Sequence, residues 1–366
     1  MEITNQILFE CDQLNYHTFR IPSLISLPNN ILIAFVEGRK NSQEDYGDIQ
    51  LVMRKSIDGG LNWGAPVILL HYQTHLLFKN SISKEFEPVS NYGEVTCGNP
   101  CPVYDKITQR LWLSYTLDNS SMWIAYSDDL GLSWSKPRNI TEEVFGPDYK
   151  AWSHMASGPG HGIQLKNGRL IIPCDHHLFE RSRGFFSMLV VSDDHGKTWE
   201  MGAVSDARMD ECEVCELQNG DIYWNMRSYR RKNCRVVAFS KNHGDDFGGF
   251  TNDYELIEPI CQASVLRYDY GEYENQDIVL FSNPASKTRD HLTLKISCDG
   301  AKTWEKSILL YEGPSAYSDL AYNQKGEVCI LYERGKNNPY ESIVFSTLQI
   351  FVNKKNRDFS MENTEN

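Results

Sequence analysis

The segment Tyr16-His17-Thr18-Phe19-Arg20-Ile21-Pro22 sets one cation, Arg20, at the edge of an apolar run, Ser23 to Phe35, that reads as a strand. Most arginines are solvated or paired at a surface. Arg20 differs because charged residues recur at the ends of strand-like runs, one per repeating unit along the chain. Planar guanidinium groups bind a carboxylate in a fixed, bidentate geometry, so arginines drawn from three units could converge on one carboxylate ligand. Acids stand at comparable places. Asp45 and Asp48, with Glu44 beside them, follow Glu37-Gly38-Arg39, and Glu211, Glu213 and Glu216 punctuate a single run. Glu211 and Glu213 would share a sheet face at period two, which leaves the choice between them open. The C-x-x-C of Cys212 and Cys215 has no second pair at zinc-site spacing, so no metal is expected there.

The formal charge of −13 argues against nucleic acid or an anionic membrane as partner. Any anionic ligand must then be held by a local cluster of positive charge inside a repelling field. No apolar run reaches the ~18 residues of a membrane span. The ten cysteines are scattered, several inside apolar runs where Cys behaves as a small buried hydrophobe. Met1 to Leu14 lacks the basic and then apolar profile of a signal peptide. A reduced, cytoplasmic setting is the simplest expectation, with a secreted or lysosomal one the alternative if a leader has been removed.

Two repeated patterns supply the elements that would position these groups. One is a turn rich in Asn and Gly between strand-like runs: Leu24–Phe35 around Asn29-Asn30, Ile163–Ile172 around Asn167-Gly168, and Val214–Trp224 around Asn219-Gly220. Looser copies span Pro102–Tyr115, Val265–Leu280 and Leu320–Tyr332. The other is S-x-D-x-G-x-[TSN]-W, at Ser56–Trp63, Ser127–Trp134 and Ser192–Trp199, with degraded copies at Ser240–Phe247 and Ser297–Trp304. In such a turn Asp accepts backbone N–H bonds, Gly takes a positive φ, and Trp packs the turn onto its sheet.

Spacings of 71, 65, 48 and 57 residues between boxes fit propeller blades. At 366 residues the chain is long for one ordinary core, and repeats escape that limit because each unit buries its layer against a neighbour. The expected fold is all-β, a six-bladed β-propeller of four-stranded antiparallel blades over residues 1–352, closed by a strand Ser342–Phe351 against the N-terminus. Leu69 to Gly98 reads as an excursion over one face, and residues 353–366 as a disordered polar tail.

The boxes resemble the Asp-boxes of the sialidase (neuraminidase) superfamily, where they are structural. Further segments make the resemblance specific to exo-α-sialidases. Phe19-Arg20-Ile21-Pro22 looks like the family's signature upstream of the first box. Glu37-Gly38-Arg39 with Asp45 resembles its second arginine and acid/base aspartate. Asn99-Pro100-Cys101-Pro102 and Gly158-Pro159-Gly160-His161-Gly162 also fit. Asp210-Glu211-Cys212-Glu213-Val214 resembles the catalytic-glutamate strand, followed by Asn225-Met226-Arg227-Ser228. Ser282-Asn283-Pro284 through Arg289 resembles the third-arginine segment, Ser315–Leu320 the nucleophile segment, and Leu331-Tyr332-Glu333 the final carboxylate. The match runs in order from about residue 16 to residue 350.

The resemblance implies that Arg20, Arg227 and Arg289 bind the substrate carboxylate, that Glu333 holds Arg20, and that Arg39 neighbours the acetamido side of the sugar. It implies Tyr317 as nucleophile, Glu211 as its base and Asp45 as general acid, with sialylated glycans of glycoproteins, gangliosides or oligosaccharides as partners and no metal or organic cofactor. A phenol, with an ordinary pKa of ~10, needs such a base. A catalytically silent sialoglycan-binding propeller is the alternative from another class, and a trans-sialidase the alternative among enzymes. Asp45, Glu211 and Tyr317 argue against the silent form, since binding a carboxylate requires none of them. One segment departs from the family pattern: Asp175-His176-His177 stands where animal cytosolic members tend to carry tyrosines facing the glycerol side chain. His161, His176 and His177 read first as structural histidines.

Overall fold

A computed structural model of the protein describes residues 3–70, 94–179, 184–270 and 276–350. Their regular structure is almost all β, with one short helix at Thr141–Phe145 and a 3-10 turn at Asp148–Ala151. The chain opens with β1 (Thr4–Glu10) and continues through β2 (Thr18–Leu27), β3 (Ile31–Arg39), β4 (Ile49–Ser56) and β5 (Val67–Leu70), of which β2 to β5 pair in order. A second sheet follows from β6 (Cys97–Asp105), β7 (Arg110–Leu117), β8 (Ser121–Ser127) and β9 (Arg138–Asn139). The third holds β10 (Trp152–Ser157), β11 (Ile163–Gln164), β12 (Leu170–Leu178), β13 (Phe185–Ser192) and β14 (Glu200–Val204). The fourth is β15 (Met209–Glu216), β16 (Ile222–Ser228), β17 (Cys234–Ser240) and β18 (Gly248–Ile257). Last come β19 (Ser264–Arg267), β20 (Val279–Pro284), β21 (Asp290–Ser297), β22 (Lys306–Tyr322), β23 (Glu327–Arg334) and β24 (Ser342–Gln349).

The last strands form one path because β22, 17 residues long, changes partner midway. Lys306–Pro314 pairs with β21, and Ser315–Tyr322 pairs with β23. Beyond β24 the path ends on β1, with Thr4 opposite Thr347 and Glu10 opposite Ser342. Apolar clusters lie between sheets rather than within them. Phe35 shares a cluster with Leu113, Trp112 with Met188, Leu189 with Trp224, Tyr223 with Phe281, and Leu294 with Tyr332. A further cluster joins Phe345 of the last strands to Leu32 of the first sheet. Every sheet therefore buries a face against the next, which is how short strands of alternating pattern find a core.

The boxed turns form, with one correction. Asp58, Asp129, Asp194 and Asp299 each accept the backbone N–H four residues on, at 2.8–3.0 Å. Phe247 and Trp304 pack on Trp224 and Phe281 of their own sheets, at 4.7 and 5.6 Å, but the other three box aromatics pack across to the preceding sheet. Trp63 meets Phe345, Trp134 meets Phe35, and Trp199 meets Trp112, with ring centroids 5.0, 6.2 and 6.0 Å apart. A side chain on Gly196 would strike Trp112 at 2.4 Å, so the glycine serves the same contact. These three boxes thus fasten neighbouring sheets.

The hairpin expected over Ile163–Ile172 is reduced to the two-residue β11, and the longer partner of β12 is β10. The chain breaks between them at Gly158–Gly162, where Gly160 (φ 105°) lies against Glu213 and a Cβ would stand 1.7 Å from Oε1. Of the expected excursion, residues 71–93 lie outside the described residues, and Cys97 and Gly98 already belong to β6. The polar tail at 353–366 lies outside them as well. All ten cysteines are free thiols, and Cys212 and Cys215 pack into different apolar clusters.

Candidate active site

Four strands carry a register break at the same end. Pairing slips between Arg20 and Ser23 in β2, Gly98 and Cys101 in β6, Met209 and Cys212 in β15, and Ser315 and Ser318 in β22. A bulge releases a residue from the ladder and re-aims its side chain. Ile21, Asn99, Glu211 and Tyr317 are residues released this way. Ile21 and Asn99 both have φ 57°, a left-handed conformation costly for a β-branched residue.

Tyr317 stands at the centre of the group. Its hydroxyl donates to Glu211 Oε1 in a short hydrogen bond and accepts one from Arg227 Nη1 at 3.1 Å. Arg227 Nη1 also reaches Glu211 Oε2 at 2.6 Å, and Nη2 reaches the Tyr229 hydroxyl at 2.8 Å. The Arg20 and Arg289 guanidiniums stand 5.2 and 5.5 Å from the centre of the Tyr317 ring. Three cations from β2, β16 and the turn before β21 therefore crowd one phenol. Glu333, fully buried, offsets them: it accepts Arg20 Nε at 2.7 Å, Ile21 N at 3.0 Å and Tyr317 N at 3.1 Å.

Asp45 lies on the rim, its side chain 67% exposed. Arg39 Nη1 binds it at 2.8 Å, and Arg20 Nη1 stands 3.8 Å away. Its loop is pinned by Arg39 to the Gln43 carbonyl and by Asn119 to its own carbonyl. Arg39 itself is buried beneath, paired with Glu37 at 2.7 Å, and holds the rim in place. A cavity of about 150 Å³ opens among Asp45, Glu211, Arg227 and Tyr317.

The electrostatics separate the groups. Burial raises the Tyr317 phenol well above its ordinary value, and the Glu211 charge adds to this, against the pull of Arg227 and Arg289. Tyr317 is therefore a neutral donor to Glu211. Partial burial raises Asp45 too, but Arg39 and Arg20 outweigh it and leave that carboxyl below its usual range.

The competing acids fall elsewhere. Glu213, one ladder position beyond the bulge, is buried and accepts from Ser264 and Val265. Glu216 accepts the Lys166 N–H, away from Tyr317. Asp48 and Glu44 do not line the cavity. Of the histidines, His176 stacks on Trp152 at 4.1 Å in a structural place, and His161 is buried against Asp319 at 2.8 Å. His177 faces the cavity beside Asp175 and Asp210. Two tyrosines are absent from the sequence reading. Tyr229 caps Arg227, and Tyr340 lies 3.9 Å under Arg20 while accepting Arg289 Nη1 at 2.5 Å. Tyr340 comes from the connection before β24, where no periodicity marks it. Tyr229 could have been found as the next outward position after Arg227.

Residues 30–330 match the family described as a BNR repeat-like domain. The chain is 29% identical to Sialidase-3 of Mus musculus, over 92% of each chain, and 30% identical to Sialidase-4 of Homo sapiens, over 94% of this chain and 92% of that one. The fold superposes on the solved Hadza microbial sialidase Hz136 with a TM-score of 0.78 at 27% identity, covering 94% of this chain and 68% of that one. With most of its length matched to sialidases by sequence and by fold, the chain belongs to the sialidase family of glycoside hydrolases, built on BNR repeats.

Proposed function

We propose that the protein is an exo-α-sialidase that removes terminal α-linked sialic acid from glycoproteins, gangliosides or oligosaccharides, with retention of configuration and Tyr317 as nucleophile. The observation that carries the reading is the Tyr317 hydroxyl, hydrogen-bonded to Glu211 and ringed by Arg20, Arg227 and Arg289. The arginines take the sugar's carboxylate, and Glu333 keeps Arg20 aimed. A carboxylate nucleophile would be repelled by that substrate carboxylate, whereas a phenol is not. Tyr317 oxygen attacks the anomeric carbon as Glu211 takes its proton and Asp45 gives one to the departing oxygen. In the second half Asp45 takes a proton from water, which attacks the same carbon, and the phenolate leaves with the proton from Glu211. The substrate carboxylate on Arg20 weakens the field that keeps Asp45 ionised, so the acid can charge with a proton as the site fills. A six-bladed β-propeller is the architecture that fits: the path from β19 to β1, divided within β22, makes two groups of four beside the other sheets, and the interface of Phe345 with Leu32 closes the ring.

The test is stereochemical. Two displacements at one carbon give net retention, so proton NMR in the first minutes of an α-sialoside digest should show the α-anomer before mutarotation. Tyr317→Phe should lose turnover while still binding. First appearance of the β-anomer would overturn the tyrosine nucleophile and point to water activated by Glu211.

A further inference from the structure

Beside the arginine group, the same cavity has a wall of different chemistry. His154 on β10 stands directly opposite His177 on β12, their rings stacked at 4.5 Å, and Asp175 precedes His177 by two residues on the same face. His154 Nε2 and His177 Nε2 approach Asp175 Oδ2 at 3.8 and 3.4 Å. Asp175 is 1% exposed, yet neither of its carboxylate oxygens has a hydrogen-bond partner. A buried carboxylate without donors is costly, and here it is aimed at two imidazole nitrogens. Asp210, from the neighbouring sheet, stands 2.9 Å from His177 Nε2 and 3.6 Å from Arg227 Nε.

We propose that His154, Asp175 and His177 bind a divalent transition-metal ion of the zinc class, with water completing its coordination. The donor atoms of the three lie within 4.8 Å of one another. Ligands on tetrahedral zinc stand about 3.3 Å apart at its usual bond lengths, and the two histidine nitrogens stand 3.8 and 3.4 Å from Asp175 Oδ2, close to that spacing. Neutral imidazole and carboxylate are the donors such ions prefer. The Tyr46 hydroxyl lies 3.4 Å from His154 Nδ1, and in the tautomer whose Nδ1–H donates to it the Nε2 lone pair is available to an ion. Both histidine side chains are 22% exposed, which gives an entry path from the cavity. The ion takes the place of the proton that His177 shares with Asp210. Bound there it faces the space beside Arg227, so it should slow hydrolysis; that consequence alone rests on the proposed function.

The probe is Co2+ added to the intact protein, followed by competition with Zn2+. Visible bands of four-coordinate cobalt, without the near-ultraviolet thiolate bands that cysteine ligands would give, are expected, and zinc should abolish them. His154→Ala should weaken zinc by at least about tenfold, as measured by equilibrium dialysis on protein with an unchanged thermal melt. Asp175→Asn, which keeps shape and drops charge, repeats the test if His154→Ala fails to fold. Zinc binding unchanged in both variants, or no binding at micromolar metal, would overturn the site and leave the cluster bridged by a proton. Zinc bound as described with hydrolysis undiminished would keep the site and overturn its place in the substrate's path.

Discussion

Asp45 meets two demands that oppose each other. Its arginine neighbours hold its carboxyl below the usual range, while the role proposed for it, protonating a leaving oxygen, requires the acid form. The conflict is resolved only if substrate itself changes the field at the rim, and that makes Asp45 matter in proportion to how badly the aglycone leaves. Asp45→Asn is expected to leave hydrolysis of an activated aryl sialoside within a few-fold of wild type. Natural sialosides, whose alkoxide needs the proton, should slow by roughly 10²–10⁴-fold, the usual contribution of a general acid. The measurement is kcat/KM on both substrate classes in one variant. Equal losses on the two would mean that Asp45 only binds, and that another group is the acid.

At the scale of elements, the site is made by bulges, and Glu333 ties two of them together. The carboxylate accepts the backbone N–H of Ile21 in β2 and of Tyr317 in β22, as well as Arg20 Nε. Removing it leaves a buried guanidinium and two backbone donors unsatisfied. Glu333→Ala is expected to cost about 3–5 kcal/mol of stability, read by chemical denaturation, and on the order of a hundredfold in kcat/KM from displacement of Tyr317. Glu333→Gln, of the same shape, should fall between. A Glu333→Ala protein of wild-type stability and activity would show that the bulges hold themselves. This dependence explains what is legible in the sequence. Asn-Gly turns and boxes are local signals, written in adjacent residues, and they foretell β3, β7, β16 and the box turns. The bulges are not local: the left-handed φ of Ile21 relies on an acid 312 residues away. Period two puts Glu211 and Glu213 on one face, and only the break between Met209 and Cys212 sends the first to Tyr317 and the second into the interior. Resemblance separates them in the sequence; alternation cannot. Tyr340, and the across-sheet packing of Trp63, Trp134 and Trp199, depend on neighbours that lie in other sheets, far along the chain.

For the whole molecule, the sheets meet along a buried polar axis beneath the site rather than a purely apolar one. His161, from the break between β10 and β11, pairs with Asp319 of β22 at 2.8 Å and stands 4.0 Å from Glu213 of β15. Asp319 also accepts Leu24 N of β2 and the Ser264 hydroxyl of β19. One imidazole is therefore in contact with a network that spans four strands from separate parts of the chain. Burial by itself would pull His161 down, but Asp319 and Glu213 outweigh it and raise the imidazole to about 9. Burial and the Asp319 charge likewise raise Glu213 above its usual range. Both groups hold a proton more tightly folded than unfolded, so both act with the same sign. Stability from His161 is present in full below its unfolded value of ~6.5 and is lost as pH climbs through about 9. Between pH 6 and pH 9.5 the wild type is expected to lose on the order of 3 kcal/mol, measured by denaturant unfolding across that range. His161→Gln, which keeps a donor for Asp319 but cannot titrate, should be weaker at pH 6 and show a flatter profile. Parallel profiles for the two proteins would mean that the axis is held by Ser264 and the backbone donors alone, with the histidine neutral throughout.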